Sequence, residues 1–290
     1  MTIAKTYKLF INGAFPRTES GRYQTLQNSK NETIATCSVS SKKDVRNAVV
    51  AAQKALPGWS KRSAYNRSQI LYRIAEILEQ RKEEFVAEMQ LMGIRKPMAQ
   101  KEVQMSIDRT VYYAGWCDKY QQLISTVNPV ASAHFNFSLP EPVGVVALIA
   151  PTESPLLGLL SILLPTIAGG NTCVGLASES YPLSAITLAE VLATSDVPAG
   201  VVNLLTGFEA DLYATMASHM DIQSLVYTRH SSEVWHEIHR SSIANLKRIH
   251  QWHYDWYSDK AQHLHFIGDL QEIKTTWHPI ETLTSSGGAY

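Results

Sequence analysis

Apolar residues along this chain follow two rhythms: a helical one within the first 125 residues, and a strand–helix alternation after about residue 142. Near the start, residues 8–13 (KLFING) predict a short strand closed by an Asn-Gly turn, followed by a polar segment, as in a hairpin. Ser41 precedes Val45, Ala48, Val49, Ala52 and Ala55 at helical spacing, so it is expected to cap a helix that Pro57-Gly58 ends. Over residues 66–89, Ile70, Leu71, Ile74, Ile77, Leu78, Phe85 and Val86 mark one apolar face of a second long helix. A third helix is expected over 101–122, with Val111, Tyr112, Ala114 and Trp116 packing rather than holding a cofactor.

Past Asn128-Pro129 the texture changes. Residues 134–139 alternate polar and apolar, the pattern of a strand with one exposed face, and predict an edge open to another chain. Then come strand 143–150, helix 155–168, strand 172–176, helix 183–193, strand 201–204, helix 210–218 and strand 224–227. Ser154 is expected to cap the helix that Pro155 begins. Such alternation implies a parallel sheet covered on both faces, with ligands taken at the carboxyl ends of its strands. The expected fold is α/β: a parallel sheet with flanking helices, a β strand or hairpin, and a C-terminal interaction tail. Residues 1–125 are expected to form the helical and N-terminal part, 126–141 the strand or hairpin, 142–234 the α/β core, and 235–290 the tail.

Composition narrows the function classes. With 290 residues, 45% of them hydrophobic, the chain can bury a substantial core. Its 26 Lys and Arg balance 26 Asp and Glu, leaving no field to draw nucleic acid or an anionic membrane. The start, MTIAKTYKLF, lacks the apolar core of a signal peptide, and no apolar run reaches the roughly 18 residues of a membrane span. A cytoplasmic location is therefore expected. Cys37, Cys117 and Cys173 are too few and too far apart for a disulfide framework or a zinc site, and read as small buried hydrophobes. The GxGxxG fingerprint is absent, and Gly169-Gly170 precedes a strand, so it reads as a turn rather than a phosphate cradle.

The tail is rich in histidine and aromatic residues: eight of the ten histidines lie from His230 onward, among Trp252, Tyr254, Trp256 and Tyr257. His250 with His253, or His263 with His265, near Asp255 or Asp259, have spacings that bring two imidazoles together, but no combination matches a zinc signature. No metal is expected, and the aromatic content reads as an interaction surface.

Several blocks occur in a telling order: KLFINGAF, GWS, RSQILYRIAEIL, EPVGVVALIAPTESPLL, AGGNTCVGLASE, PLSAITLAEVL, VPAGVVNLLTG and ASHMDIQSLVYT. Over roughly residues 7–230 they resemble the N-terminal, cofactor-domain half of the aldehyde dehydrogenase superfamily. ANLKRI, residues 244–249, is similar to a piece of the noncatalytic second repeat of the two-repeat, family-16-type members. The resemblance implies a Rossmann-like cofactor domain, an interlocking oligomerisation strand near residues 130–140, and aldehyde oxidation with NAD or NADP. It also implies a cysteine nucleophile and a glutamate base downstream of the matched region, yet the last cysteine is Cys173 and no Glu-Gly-Gly segment follows.

Departures from the family concentrate where chemistry is expected. Glu153 of PTESP occupies the position of the family's oxyanion-stabilising asparagine, and an ionised carboxylate only accepts hydrogen bonds and repels an oxyanion. Leu176 replaces the lysine that contacts the adenosine ribose, while Glu179 remains. Residues 227–234 (YTRHSSEV) replace the glycine-serine pair that faces the pyrophosphate, and without glycine the backbone approaches phosphate less closely. No residue here inherits a catalytic role. Glu179 and Arg229 are the degenerate cofactor-binding candidates: no cofactor is expected, residual NAD or NADP binding or sensing would rest on these two, and a capping or solvated acid is the plainer reading of Glu179. The expectation is a noncatalytic structural or regulatory subunit, associating with itself or with a catalytic aldehyde dehydrogenase, and binding neither nucleic acid nor membrane. The alternative is part of an NAD(P)-dependent aldehyde oxidoreductase whose catalytic half lies on another chain.

Overall fold

A computed structural model describes residues 5–28 and 31–280. Strands β1 (Lys5–Tyr7), β2 (Tyr23–Gln27) and β3 (Thr33–Ser38) form a small sheet in the order β1-β3-β2. Helices α1 (Lys42–Ser60), α2 (Ala64–Gln80), α3 (Lys82–Leu91), α4 (Lys96–Trp116) and α5 (Tyr120–Ile124) follow. Strands β4 (Thr126–Asn128) and β5 (His134–Pro142) lead to an alternating core: β6 (Val145–Ile149), α6 (Leu157–Ala168), β7 (Thr172–Leu176), α7 (Leu183–Ala193), β8 (Val202–Leu205), α8 (Glu209–Ser218) and β9 (Ser224–Tyr227). The remainder holds α9 (Ser232–Ser242), β10 (Arg248–Gln251), α10 (His265–Gly268) and β11 (Gln271–Pro279).

The apolar runs VVALI, TCVGL, VNLL and SLVY are buried along their whole length, as strands covered on both faces must be. They make a parallel five-stranded sheet in the order β10-β9-β6-β7-β8. Alternation along β6 sends Val146 and Leu148 into the layer with α2, α4 and α6, and Val145, Ala147 and Ile149 into the layer with α1 and α8. The chain steps from β6 through β7 to β8, then crosses back to lay β9 and β10 on the other side of β6. The reversal of order falls between β6 and β9, and the crevice outside their carboxyl ends is where such sheets take ligands.

The structure moves several sequence-predicted boundaries. The Asn-Gly turn is present, with Asn12 and Gly13 both at positive φ (55° and 72°), but residues 8–13 form no ladder strand; Phe10 bridges to Leu204 at the edge of β8. Helix α1 runs through Pro57 to Ser60, because buried Trp59 anchors its last turn with an indole N–H donated to Ile167 O at 3.0 Å. The helix expected over 66–89 breaks at Arg81, whose guanidinium is drawn to Glu84 and Glu190. The next begins at Lys96 and ends at Trp116, leaving α5 separate.

The tail departs most from expectation. Strand β10 joins β9 in parallel, so the core sheet reaches Gln251 rather than ending at residue 234. Residues 252–270 then cross α4 and α6, burying Trp252, Trp256, Phe266, Ile267 and Leu270 in the same core cluster; a buried side chain of this size contributes about 1.5–3 kcal/mol. Finally β11 pairs antiparallel with β5 from Gln271↔Pro142 to Pro279↔His134, while β4 takes its other side. Strand β5 is thus the centre of a three-stranded sheet, not an open edge, because a nine-residue partner in the same chain satisfies its backbone. Residues 281–290 of the tail lie outside the described residues.

Two side chains from ANLKRI fasten the approach to β10 onto the loop between α8 and β9. Asn245 Nδ2 donates to the carbonyls of His219, Met220 and Ile222, and Lys247 Nζ donates to those of His219, at 2.9 Å, and Ile222. Lys247 is buried, and burial pushes its ammonium down to about 8. Between about pH 8 and the ordinary lysine value of about 10.4, the folded chain binds fewer protons than the unfolded one, so stability rises with pH across that window. The unfolding free energy of the wild type is expected to rise between these limits relative to that of Lys247→Met. Parallel pH profiles from denaturant titration would contradict it.

Candidate active site

The turn after β6 carries PTESP. Its tip, Glu153, is exposed, while Pro151, Ser154 and Pro155 are buried. Helix α6 begins at Leu157, and Ser154 does not cap it: Glu102 of α4 does, Oε1 accepting from Leu156 N at 2.9 Å and Leu157 N at 3.2 Å. Its other oxygen accepts from the Tyr257 hydroxyl of the tail at 2.8 Å. Burial pushes the Glu102 carboxyl up, and these three donors oppose that rise. Ser154 instead gives its carbonyl to Gly158 N, and only glycine fits at 158, since a Cβ there would overlap the Pro151 ring.

Two turns along α4, Arg109 is buried and donates to Ser161 Oγ of α6 and to the carbonyls of Trp256, at 3.0 Å, and Ser258 in the tail. Neither Glu102 nor Arg109 stands out in a motif. The signal available was their sevenfold spacing on the face that buries Val103, Ser106 and Thr110, where charge is rare unless it is satisfied.

The structure brings Glu179 and Arg229 together across the crevice. Arg229 follows β9, and its side chain is 8% exposed. Nη1 meets Glu179 Oε1 at 2.8 Å and lies 3.7 Å from Glu209 Oε2. Nε donates to Ala150 O and Nη2 to Ala177 O, both at 2.9 Å; these are the carbonyls just beyond β6 and β7. Glu179 Oε1 also accepts from Glu209 N at the start of α8, and Arg229 O is held by His253 Nε2 at 2.8 Å. Burial pushes the Glu209 carboxyl up, partly countered by Arg229.

The three cysteines are fully buried and free. Burial pushes their thiols up, to about 11 for Cys37 and about 12 for Cys117 and Cys173, the opposite of what a nucleophile needs. Among the described residues no cluster of three or more His, Cys, Asp or Glu is placed to hold a metal. Of the predicted histidine pairs, His263 and His265 come close, with ring centroids 4.6 Å apart, while His253 packs against His230 and His250 against Trp252; neither pair belongs to a cluster of three such groups among the described residues.

A family model for the aldehyde dehydrogenase family matches residues 15–251, from just after the Asn-Gly turn through β10. The chain belongs to the aldehyde dehydrogenase family. ANLKRI lies within the matched span, as the approach to β10. The mitochondrial benzaldehyde dehydrogenase of Antirrhinum majus is 34% identical over 248 residues, covering 83% of this chain and 46% of that protein. The cytosolic 10-formyltetrahydrofolate dehydrogenase of Mus musculus is 33% identical over 256 residues, covering 86% of this chain and 28% of that one. An aldehyde dehydrogenase from Bacillus cereus, solved as its NAD+ complex, superposes with a TM-score of 0.80 at 28% identity, over 85% of this chain and 50% of that one. This aldehyde dehydrogenase family chain thus spans half or less of each of these relatives, and its match to aldehyde dehydrogenases falls on their N-terminal half.

The antiparallel sheet turns its apolar residues outward. On β5 the polar Asn136 and Ser138 are buried, joined to Asn128 and Thr275 by hydrogen bonds of 2.6–2.9 Å. Phe135 and Leu139 are 45% and 43% exposed, and Val127, paired with Phe137, is 68% exposed. Register places all four on the outer face, so the apolar residues of the alternation point outward.

Proposed function

We propose that this aldehyde dehydrogenase family chain is a noncatalytic structural or regulatory subunit, associating with itself or with a catalytic aldehyde dehydrogenase. The observation that carries the reading is Glu153, exposed at the tip of the turn where the resemblance calls for an amide donor to an oxyanion. A carboxylate there is compatible with the fold, since negative charge near the start of α6 is favourable, but it opposes the charge that builds in aldehyde chemistry. Two further observations support it: the described cysteines are buried thiols, and residues 252–270 fold back over α4 and α6.

The outward face of Phe135, Phe137, Leu139 and Val127 is the surface for association, since contiguous exposed apolar residues mark protein contacts. The free edge of β11 lies beside it. No described helix is long and apolar enough to cross a membrane, and a cytoplasmic location is part of this proposal. The half-length match to its relatives supports one other reading, in which a second chain supplies the thiol-bearing half of an NAD(P)-dependent aldehyde oxidoreductase.

Native mass spectrometry tests the association. The expected mass is that of two or more copies, or of this chain bound to a full-length dehydrogenase when both are co-expressed, with Phe137→Asp weakening either complex. A single chain's mass under both conditions would overturn it.

A further inference from the structure

Three helix N-termini around the crevice are each served by an acceptor from the chain itself. At α6 it is Glu102, on Leu156 N and Leu157 N. At α8 it is Glu179, on Glu209 N. At α9 it is Ser231, whose side chain accepts from Val234 N. Such N–H groups are what an anionic ligand would use, and two of the three positions hold a carboxylate instead. Between them lies Arg229, its fork divided among Ala150 O, Ala177 O and Glu179. A guanidinium has five N–H donors, and here Nε, Nη1 and Nη2 are all engaged by this chain's own oxygens. With Glu179 and Glu209 both beside one arginine, an incoming pyrophosphate would meet more carboxylate than free cation.

The residues present therefore do not fit a dinucleotide. Resting on the noncatalytic reading above, we propose that Arg229 and Glu179 form an internal brace that excludes a dinucleotide from this crevice and ties the carboxyl ends of β6, β7 and β9 together without one. Arg229 reaches from the end of β9 across β6 to β7, and the Thr228 hydroxyl adds a 2.7 Å bond to Ile149 O. These are the strand ends at which the sheet's order reverses, where a bound ligand would otherwise connect them. His253 holds the carbonyl of Arg229, so the tail also fixes the residue that closes the crevice.

Calorimetric titration with NAD+ and NADP+ tests the brace, comparing the full-length wild type with Arg229→Ser. The wild type is expected to give no heat of binding at millimolar dinucleotide. The variant is expected to melt at a lower temperature and to bind at least about tenfold more tightly than the wild type's limit. If Arg229→Ser fails to fold by circular dichroism, Arg229→Lys carries the test: it keeps the charge beside Glu179 but cannot also reach both carbonyls. Tight dinucleotide binding by the wild type, or a folded variant that binds no better, would overturn the brace. The second of these outcomes leaves the noncatalytic reading intact, because that reading fails on aldehyde turnover and not on binding.

Discussion

Replacing Glu102 with alanine is expected to lower the melting temperature by about 10 °C. Glu102 is 1% exposed and accepts three hydrogen bonds, from Leu156 N, Leu157 N and the Tyr257 hydroxyl. Alanine strands all three donors. Each buried donor left without an acceptor costs about 1–3 kcal/mol, and tertiary relaxation recovers part, which leaves a loss of about 3–5 kcal/mol. In a chain of this size, each kcal/mol moves the midpoint by about 2–4 °C. Glu102→Gln keeps an oxygen for the two amides and is expected to lose less than half as much, while Tyr257→Phe removes one bond and costs about 1 kcal/mol. Differential scanning calorimetry of the three variants gives that order. A Glu102→Ala midpoint within about 2 °C of the wild type would show that the start of α6 and the tail are held by something else.

What the sequence made legible follows from what single residues can signal. Buried parallel strands announce themselves by continuous apolar runs, and β7, α7 and β9 lie where their patterns predict. Helix ends were less legible because tertiary contacts moved them: Trp59 carries α1 past Pro57, and Glu102 starts α6 two residues after Pro155. The tail's folded partner is not legible in the sequence: Trp252, Trp256 and Phe266 pack into the core with α4 and α6 of the same chain and β11 pairs with β5, and no local pattern says whether a strand's partner is near, far or foreign. At the site, Glu153 was readable because one position changed chemical type. The pairing of Glu179 with Arg229 was not, since these residues stand fifty apart and meet only through the β6-β7-β9 arrangement.

The other large expectation is an absence of turnover. Aldehyde oxidation of the family's kind needs a thiolate, and in this chain Cys37, Cys117 and Cys173 are buried, with thiols pushed to about 11 or 12 by that burial. At neutral pH thiolate is therefore scarce in all three, and each is at most 1% exposed. On the proposed reading, an amide at the turn alone does not change this: Glu153→Asn supplies a donor there and leaves the three cysteines buried. The decisive measurement is NADH formation by the purified full-length chain with NAD+ or NADP+ and a panel of aldehydes, run beside Glu153→Asn and an enzyme-free control. The account predicts that both proteins match the control. Aldehyde-dependent NADH formation that co-elutes with the wild-type chain, and persists after contaminating dehydrogenases are removed, would contradict it.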